Sequence, residues 1–234
     1  MYYMLMVITG PDEDINYVME PFDESLSVDS YIESTKEELI EEARNIQKQL
    51  IEGIKEDPDY EPSEYEQGFL NATNDEELYR SIRDDFFFTY DKDGNKTSTC
   101  NPNARWSSWN VGGRWENFLR LKSGSRADAA AIKDIVFADD DKRYYEALKW
   151  WNSCIENRND EIAQMYKKAT TSSKFAKVRS KFGANCAIVD GEWIDIDDME
   201  FSPEREKDWY ENFYARYIAN RDKEDVITIL ECCI

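Results

Sequence analysis

The two segments richest in β-branched and aromatic residues stand at opposite ends of the chain, residues 2–9 and 226–234, and each has the composition of a buried strand. Gly10-Pro11 stops the first of them. Strands this apolar need cover on their faces and hydrogen-bond partners along their edges, and each is the natural neighbour of the other. Pairing of the two at the centre of a sheet would prevent the chain between them from being cut into independent halves. The expectation is a single α+β domain over residues 1–234: one mixed or mainly antiparallel sheet with the N- and C-terminal strands adjacent, flanked by helices, with a helical insertion around residues 125–180.

Between these ends the punctuation is clear. Ser34 or Thr35 caps a helix that carries Glu37 and Glu38 in its first turn and Leu39, Ala43, Ile46, Leu50 and Ile54 at helical spacing, ending near residues 53–57 before Pro58. Residues 57–77, with Pro58, Pro62 and Gly68, read as a polar acidic connector and the most mobile segment, followed by a short helix at 75–83. Residues 86–90 and 96–99 form a predicted hairpin around Asp91-Lys92-Asp93-Gly94-Asn95. That turn imitates the start of a calcium loop, but its glycine arrives two positions early and no glutamate closes it. Residues 125–132 and 139–169 read as helical, 186–189 and 192–196 as a second hairpin turning at Asp190-Gly191, and 203–219 as a helix with Trp209, Phe213 and Tyr217 four apart.

Histidine is absent. Its absence removes the Ser-His and Cys-His nucleophile systems and the commonest zinc ligand. The cysteines, Cys100, Cys154, Cys186, Cys232 and Cys233, are odd in number without a C-x-x-C pair, and read as reduced core thiols. Phosphate-loop, dinucleotide and nucleophile-elbow signatures are missing as well, so the chain reads as a non-enzyme without cofactor or metal. Asp195, Asp197, Asp198 and Glu200 form an acidic cluster in which Asp195 and Asp197 share a strand face, a weak alternative as paired carboxylates or a magnesium site. No apolar run approaches the ~18 residues of a membrane span, and the first apolar stretch lacks a basic flank and a cleavage site, so a cytoplasmic protein without membrane association is expected.

Residues 101–115 are the densest in chemistry: Asn101, Asn103, Arg105, Trp106, Trp109, Gly112, Gly113, Arg114 and Trp115. Paired glycines permit positive φ or close backbone approach, and an arginine beside tryptophans can be held by stacking with its fork fixed, a geometry that grips phosphate or carboxylate. A Trp-rich turn with a stacked Arg is equally a way to pin a loop onto a sheet. The pattern N-P-N-x-x-W-x-x-W-x-x-G-G-R-W at these positions resembles a motif of small proteins of phages and prophages. There it lies between an N-terminal strand like residues 2–10, followed by an acidic helix, and a C-terminal strand like residues 226–234. The likeness covers about a third of the chain, and Cys233 departs from the family's frequent penultimate histidine. It implies a phage accessory protein acting in the host cytoplasm and says nothing of a reaction.

Charge is polarised. Fifty acids oppose 29 bases for a net −21, and residues 1–90 alone hold 24 acids against six bases. Between residues 163 and 188 there is no acid, while Lys167, Lys168, Lys174, Lys177, Arg179 and Lys181 are basic. The acids at Asp57, Asp59, Glu61, Glu64 and Glu66 serve either to keep the protein soluble or to mimic phosphates in a nucleic-acid groove. Small acidic phage proteins often block host DNA-binding defence enzymes, so the resemblance implies an inhibitor of a CRISPR effector or restriction nuclease acting by stoichiometric binding, with a homodimer also open. The alternative is a nucleotide or nucleic-acid binder, or a sponge for a phosphorylated signal, using Arg105, Arg114, Trp106, Trp109 and the basic stretch 167–181.

Overall fold

The computed structural model describes residues 2–57, 59–196 and 202–233. In chain order the elements are β1 (Tyr2–Thr9), α1 (Ile15–Met19), β2 (Ser27–Ser34), α2 (Lys36–Glu56), α3 (Glu64–Asn71), α4 (Asp75–Ile82), β3 (Thr89–Tyr90), β4 (Lys96–Cys100), β5 (Ser108–Val111), β6 (Leu119–Arg120), β7 (Arg126–Ala127) and β8 (Ala129–Ala131). There follow α5 (Asp141–Trp151), which runs into a π-helical turn at Asn152–Glu156, then α6 (Glu161–Ala169), α7 (Ser172–Arg179), β9 (Cys186–Val189), β10 (Glu192–Asp195), α8 (Pro203–Tyr217) and β11 (Val226–Cys233). The class is α+β. Two compact units divide the chain: residues 25–102, and residues 1–24 together with 103–234.

The discontinuous unit is built on β1. Its partner on one side is β11, antiparallel and in register from Tyr2 opposite Cys233 to Thr9 opposite Val226, as the end segments led one to expect. On the other side β9 pairs in parallel, Leu5 opposite Cys186, and β10 folds back on β9. Asp190 and Gly191 both take positive φ in that hairpin turn, as a type I′ turn requires. Alternation along β1 feeds two cores. Met6 and Ile8 join Trp209 and Phe213 of α8, with Ile227 and Ile229 of β11. Leu5 and Val7 pack with Val18 and Met19 of α1, Cys186, Ile188 and Cys232. A third cluster, Trp151, Ile155, Tyr166 and Phe175, joins the π-turned end of α5 to α6 and α7.

Residues 25–102 have their own small core of Ala43, Phe69 and Leu78, formed by α2, α3 and α4. Thr35 and Glu38 make a capping box for α2, and Ser63 and Glu66 make another for α3. Strands β2, β4 and β3 form a sheet in that order, with Asp91–Asn95 as the β3–β4 turn. In that turn the Asp91 carboxylate accepts from the backbone of Asp93 and Asn95, leaving it no role as an open calcium ligand.

Several expectations need correction: the first arm of the 86–99 hairpin is strand only at Thr89–Tyr90, and the helix expected over 139–169 breaks between the π-turn at Asn152–Glu156 and α6. The single sheet is three: six strands in the order β10-β9-β1-β11-β5 with β8 also on β11, the three-stranded β2-β4-β3, and the pair β6-β7. Strand β2 escaped notice because its sequence SVDSYIES buries none of its side chains. Residues 125–132 are not helical; Ala129–Ala131 lies along β11 opposite residues 226–228, so pairing at a sheet edge outweighs the helix preference of alanine. The acidic connector contains α3, whose Phe69 is fully buried. Trp209 is buried to 1% and donates its indole N–H to the Ala184 carbonyl at 2.8 Å. Trp209→Ala is expected to lower unfolding free energy by about 3–5 kcal/mol in urea titrations, and a loss below about 1 kcal/mol would contradict this account of the core.

Candidate functional site

The residues of the Trp-rich motif fall in three places. Asn101 is buried within residues 25–102, while positions 103–115 belong to the discontinuous unit. Arg105 and Trp106 both donate backbone N–H to the Phe22 carbonyl, and Trp106 donates its indole N–H to Met19 at 3.1 Å. Trp106 and Trp109 pack against the core on the Leu5 side of β1, whereas Trp115 packs against the core on the Met6 side. The three indoles therefore form no common platform. Residues 108–111 zip onto β11, and the chain then turns sharply at Gly112 and Gly113, with φ of 70° and 56°.

That turn is built around two carboxylates. A Cβ on Gly112 would sit 2.7 Å from the Asp128 carboxylate, and one on Gly113 would meet the Glu231 carboxylate and lie 2.6 Å from its Cβ. Glu231, buried on β11, accepts the Arg114 backbone N–H, and Asp128 accepts that of Asn117. The glycines thus serve close approach of backbone to a sheet edge. The Arg114 side chain stays 60% exposed, 3.6 Å from Glu231 Oε1 and 3.8 Å from the ring of Tyr2. Arg105 and Asn103 are also exposed.

Residues 25–102 carry the clearest electrostatic feature, 20 acids against eight bases. Sixteen of those acids are exposed. The other four, Glu66, Glu77, Asp84 and Asp91, are half-buried and accept backbone N–H groups at caps and turns. Asp57 ends α2, Asp59 and Glu61 follow it, and Glu64 opens α3; all four are exposed, and none has an ion-pair partner among the described residues. Glu66 differs. Tyr60 and Ser63 both donate to it, and those hydrogen bonds, Tyr60's first, hold its carboxyl below the usual range. Four of the five expected interaction acids are therefore available to a partner and one is committed to a helix cap.

The basic stretch 167–181 runs through α6 and α7, and its Lys174 and Lys177 border a cleft of about 320 Å³ toward α8, whose lining balances those two and Lys207 with Glu204, Glu206 and Glu211 around Tyr166, Phe175 and Pro203. Beneath it is a buried polar network. Glu206 accepts from the Tyr166 hydroxyl through Oε2, while its Oε1 faces Arg179 Nε as an ion pair without accepting a well-aligned hydrogen bond. Arg179 also donates to Tyr210 and Asn185. Burial opposes the charge on Arg179, yet Tyr210, Glu206 and Tyr166 more than offset it and raise its pKa; burial and Glu206 push the Tyr166 hydroxyl upward. Arg179 was legible only as part of a basic run. Glu206 carried a better signal, standing on the helical face of Trp209, Tyr210 and Phe213.

Asp195 accepts from Cys186 at 3.1 Å and from the Trp193 indole at 3.4 Å, while Asp197, Asp198 and Glu200 lie outside the described residues. No group of three or more Cys, Asp or Glu placed to hold a metal occurs among the described residues. Burial pushes the Cys232 thiol up to about 12, which keeps it protonated and unreactive. No helix among the described residues is long and apolar enough to cross a membrane.

Two outcomes follow. Gly113→Ala is expected to cost at least about 2 kcal/mol in urea unfolding and Arg114→Ala less than about 1, since the turn is held by the backbone of Arg114 while its guanidinium, mostly exposed, makes only a long contact to Glu231 and lies over Tyr2; the reverse order would make the guanidinium the anchor. Because the folded pKa of Glu66 is depressed, its stabilising effect is complete above the ordinary glutamate value of about 4.3 and is lost as pH falls through the lowered one. The stability gap between the native chain and Glu66→Gln should shrink between pH 7 and about pH 3 in thermal melts, and a constant gap would exclude this cap as its source. No protein-family model matches the chain, and no curated protein or solved structure is similar to it.

Proposed function

We propose that the protein acts by stoichiometric binding, with the acidic unit of residues 25–102 opposing a basic groove on a nucleic-acid-binding partner. The reading extends to the role implied by the phage resemblance, an inhibitor of a host defence effector such as a CRISPR nuclease or restriction enzyme. One observation carries it. Sixteen of the unit's 20 acids are exposed, and although Glu38 caps α2 and several others pair with bases of the unit, Asp57, Asp59, Glu61 and Glu64 have no ion-pair partner among the described residues. Asp57, Asp59, Glu61 and Glu64 extend this surface along consecutive turns of chain. A groove evolved to bind phosphates attracts such a surface at long range and releases it as salt rises.

A second reading rests on the cleft between α6, α7 and α8. Lys174, Lys177 and Lys207 line it beside Phe175 and Pro203, with Glu204, Glu206 and Glu211 on the same walls, Lys177 paired with Asp139 and Lys207 with Glu211, so a phosphorylated aromatic molecule would rest chiefly on Lys174. In this reading the basic stretch 167–181 is the ligand site, while the Trp-rich motif, with Arg105, Arg114, Trp106 and Trp109, braces the sheet edge.

One experiment separates the two. The full chain is immobilised, exposed to host lysate and washed in rising salt, with proteins identified by mass spectrometry and small molecules extracted in parallel. The expected result is a DNA-binding effector released between about 0.1 and 0.5 M salt, displaced by duplex DNA and no longer retained after Asp57, Asp59 and Glu61 are reversed to Lys. Retention indifferent to both salt and charge reversal overturns the electrostatic reading, and a nucleotide co-purifying without a protein partner moves the function to the cleft.

A further inference from the structure

The segment joining α4 to β3 holds two large apolar side chains in water. Phe86 is 87% exposed and Phe87 74%, and their rings meet edge to face at 4.9 Å. Two adjacent phenylalanines this open to solvent are unusual in a folded chain, because each forgoes the burial that normally places it inside. A disordered loop would explain them simply, but this turn is fastened at several points. Asp84 accepts from the backbone of Phe86 at 3.0 Å and of Phe87 at 3.3 Å, and its carbonyl accepts from Phe88. The Tyr90 hydroxyl accepts from the backbone N–H of Asp84. Arg83 lies over the Tyr90 ring at 4.7 Å while pairing with Asp85 at 2.6 Å, and Lys96 caps the Phe88 ring at 3.8 Å. The backbone is thus fixed in the conformation that presents the two rings.

Exposed aromatic side chains carried on a fastened backbone turn suit a binding hot spot, since little backbone entropy is lost when they enter a pocket. We propose that Phe86 and Phe87 are the anchor of the acidic unit, inserted into an apolar pocket of a partner protein whose rim carries Lys or Arg. The inference rests on the stoichiometric-binding reading and names where that binding is centred. Charge selects the occupant. Asp84 and Asp85 immediately precede the rings, Asp85 in its pair with Arg83, and the whole unit carries 20 acids against eight bases. A second copy meeting this patch about a two-fold axis would bring two such acidic units face to face. An anionic membrane surface would repel the same unit. A pocket with a basic rim satisfies both the rings and the acids around them, and gives a contact whose rate of formation depends on salt and whose lifetime depends on the aromatics.

The test uses the full chain with a photo-activated benzoylphenylalanine in place of Phe87, irradiated in host lysate, with the crosslinked peptide sequenced. The expected product joins position 87 to a single host protein through a peptide that lines an apolar pocket beside Lys or Arg residues. Against that purified protein, Phe86→Ser with Phe87→Ser should weaken binding about 30-fold or more, mainly through faster dissociation, while the melting temperature stays unchanged. Reversal of Asp57, Asp59 and Glu61 to Lys should instead slow association. A crosslink between two copies, to lipid, or to no protein overturns the anchor. A salt-released partner whose affinity is indifferent to the double serine variant overturns it too, and leaves the stoichiometric reading standing.

Discussion

Everything in the discontinuous unit depends on one strand being buried on both faces at once. β1 lies between β11 and β9, so its backbone groups are satisfied on both edges, and its side chains divide alternately between two cores. Residues Leu5 to Val7 have no measurable exposure. A strand in that position tolerates no change of register, because a slip of one residue would exchange the Met6 and Leu5 faces and mismatch both cores together. The same constraint explains the Trp-rich motif. Its strand, β5, extends the sheet along the end of β11 where Glu231 is buried, and Gly112-Gly113 lets the following turn close over that carboxylate.

Residues 25–102 follow a different logic. Their core is small, and much of their local order comes from capping boxes and turn carboxylates. A few acids carry that structural work, leaving most of the rest on the surface with no fold-determining role. Mutual repulsion among them weakens the unit while favouring solubility and association with basic surfaces. The polar network under the α6–α8 cleft represents the opposite policy. There Glu206 and Arg179 are taken out of water and must be matched to each other, and removing either would strand a buried charge.

Legibility in the sequence tracked how local the signal was. The pairing of the end strands, the second hairpin, the turn and the 89–90 end of the first, the α2 cap and the α8 stripe were readable because each is announced by alternation, turn residues or helical spacing within a short window. What escaped reading was decided by partners distant in sequence. Ala129–Ala131 is a strand because β11 offers it an edge, and β2 exists because β4 does, a pairing between residues about as far apart as Ser27 and Cys100. At the candidate sites the acids were visible as composition, but whether each was free or committed was not. Glu66 stands three residues after Ser63, the S-x-x-E spacing of a capping box that singles it out from Glu64, but that Tyr60 also reaches it was not readable. Phe86, Phe87 and Phe88 looked like a strand, although three successive phenylalanines cannot all turn to one side of one.

The way residues 25–102 are spliced into the chain bears on its history. Ser27 faces Cys100 across β2 and β4, so the unit brings its own entry and exit together. The flanking chain does the same, with Glu24 donating to the Trp106 carbonyl and Asp23 bridged to Trp106. A cassette whose two ends already lie side by side can be lost, replaced or diversified while the strand order around β1 is inherited intact. Changes of length and surface within such a cassette leave the pairing of β1 with its neighbours untouched.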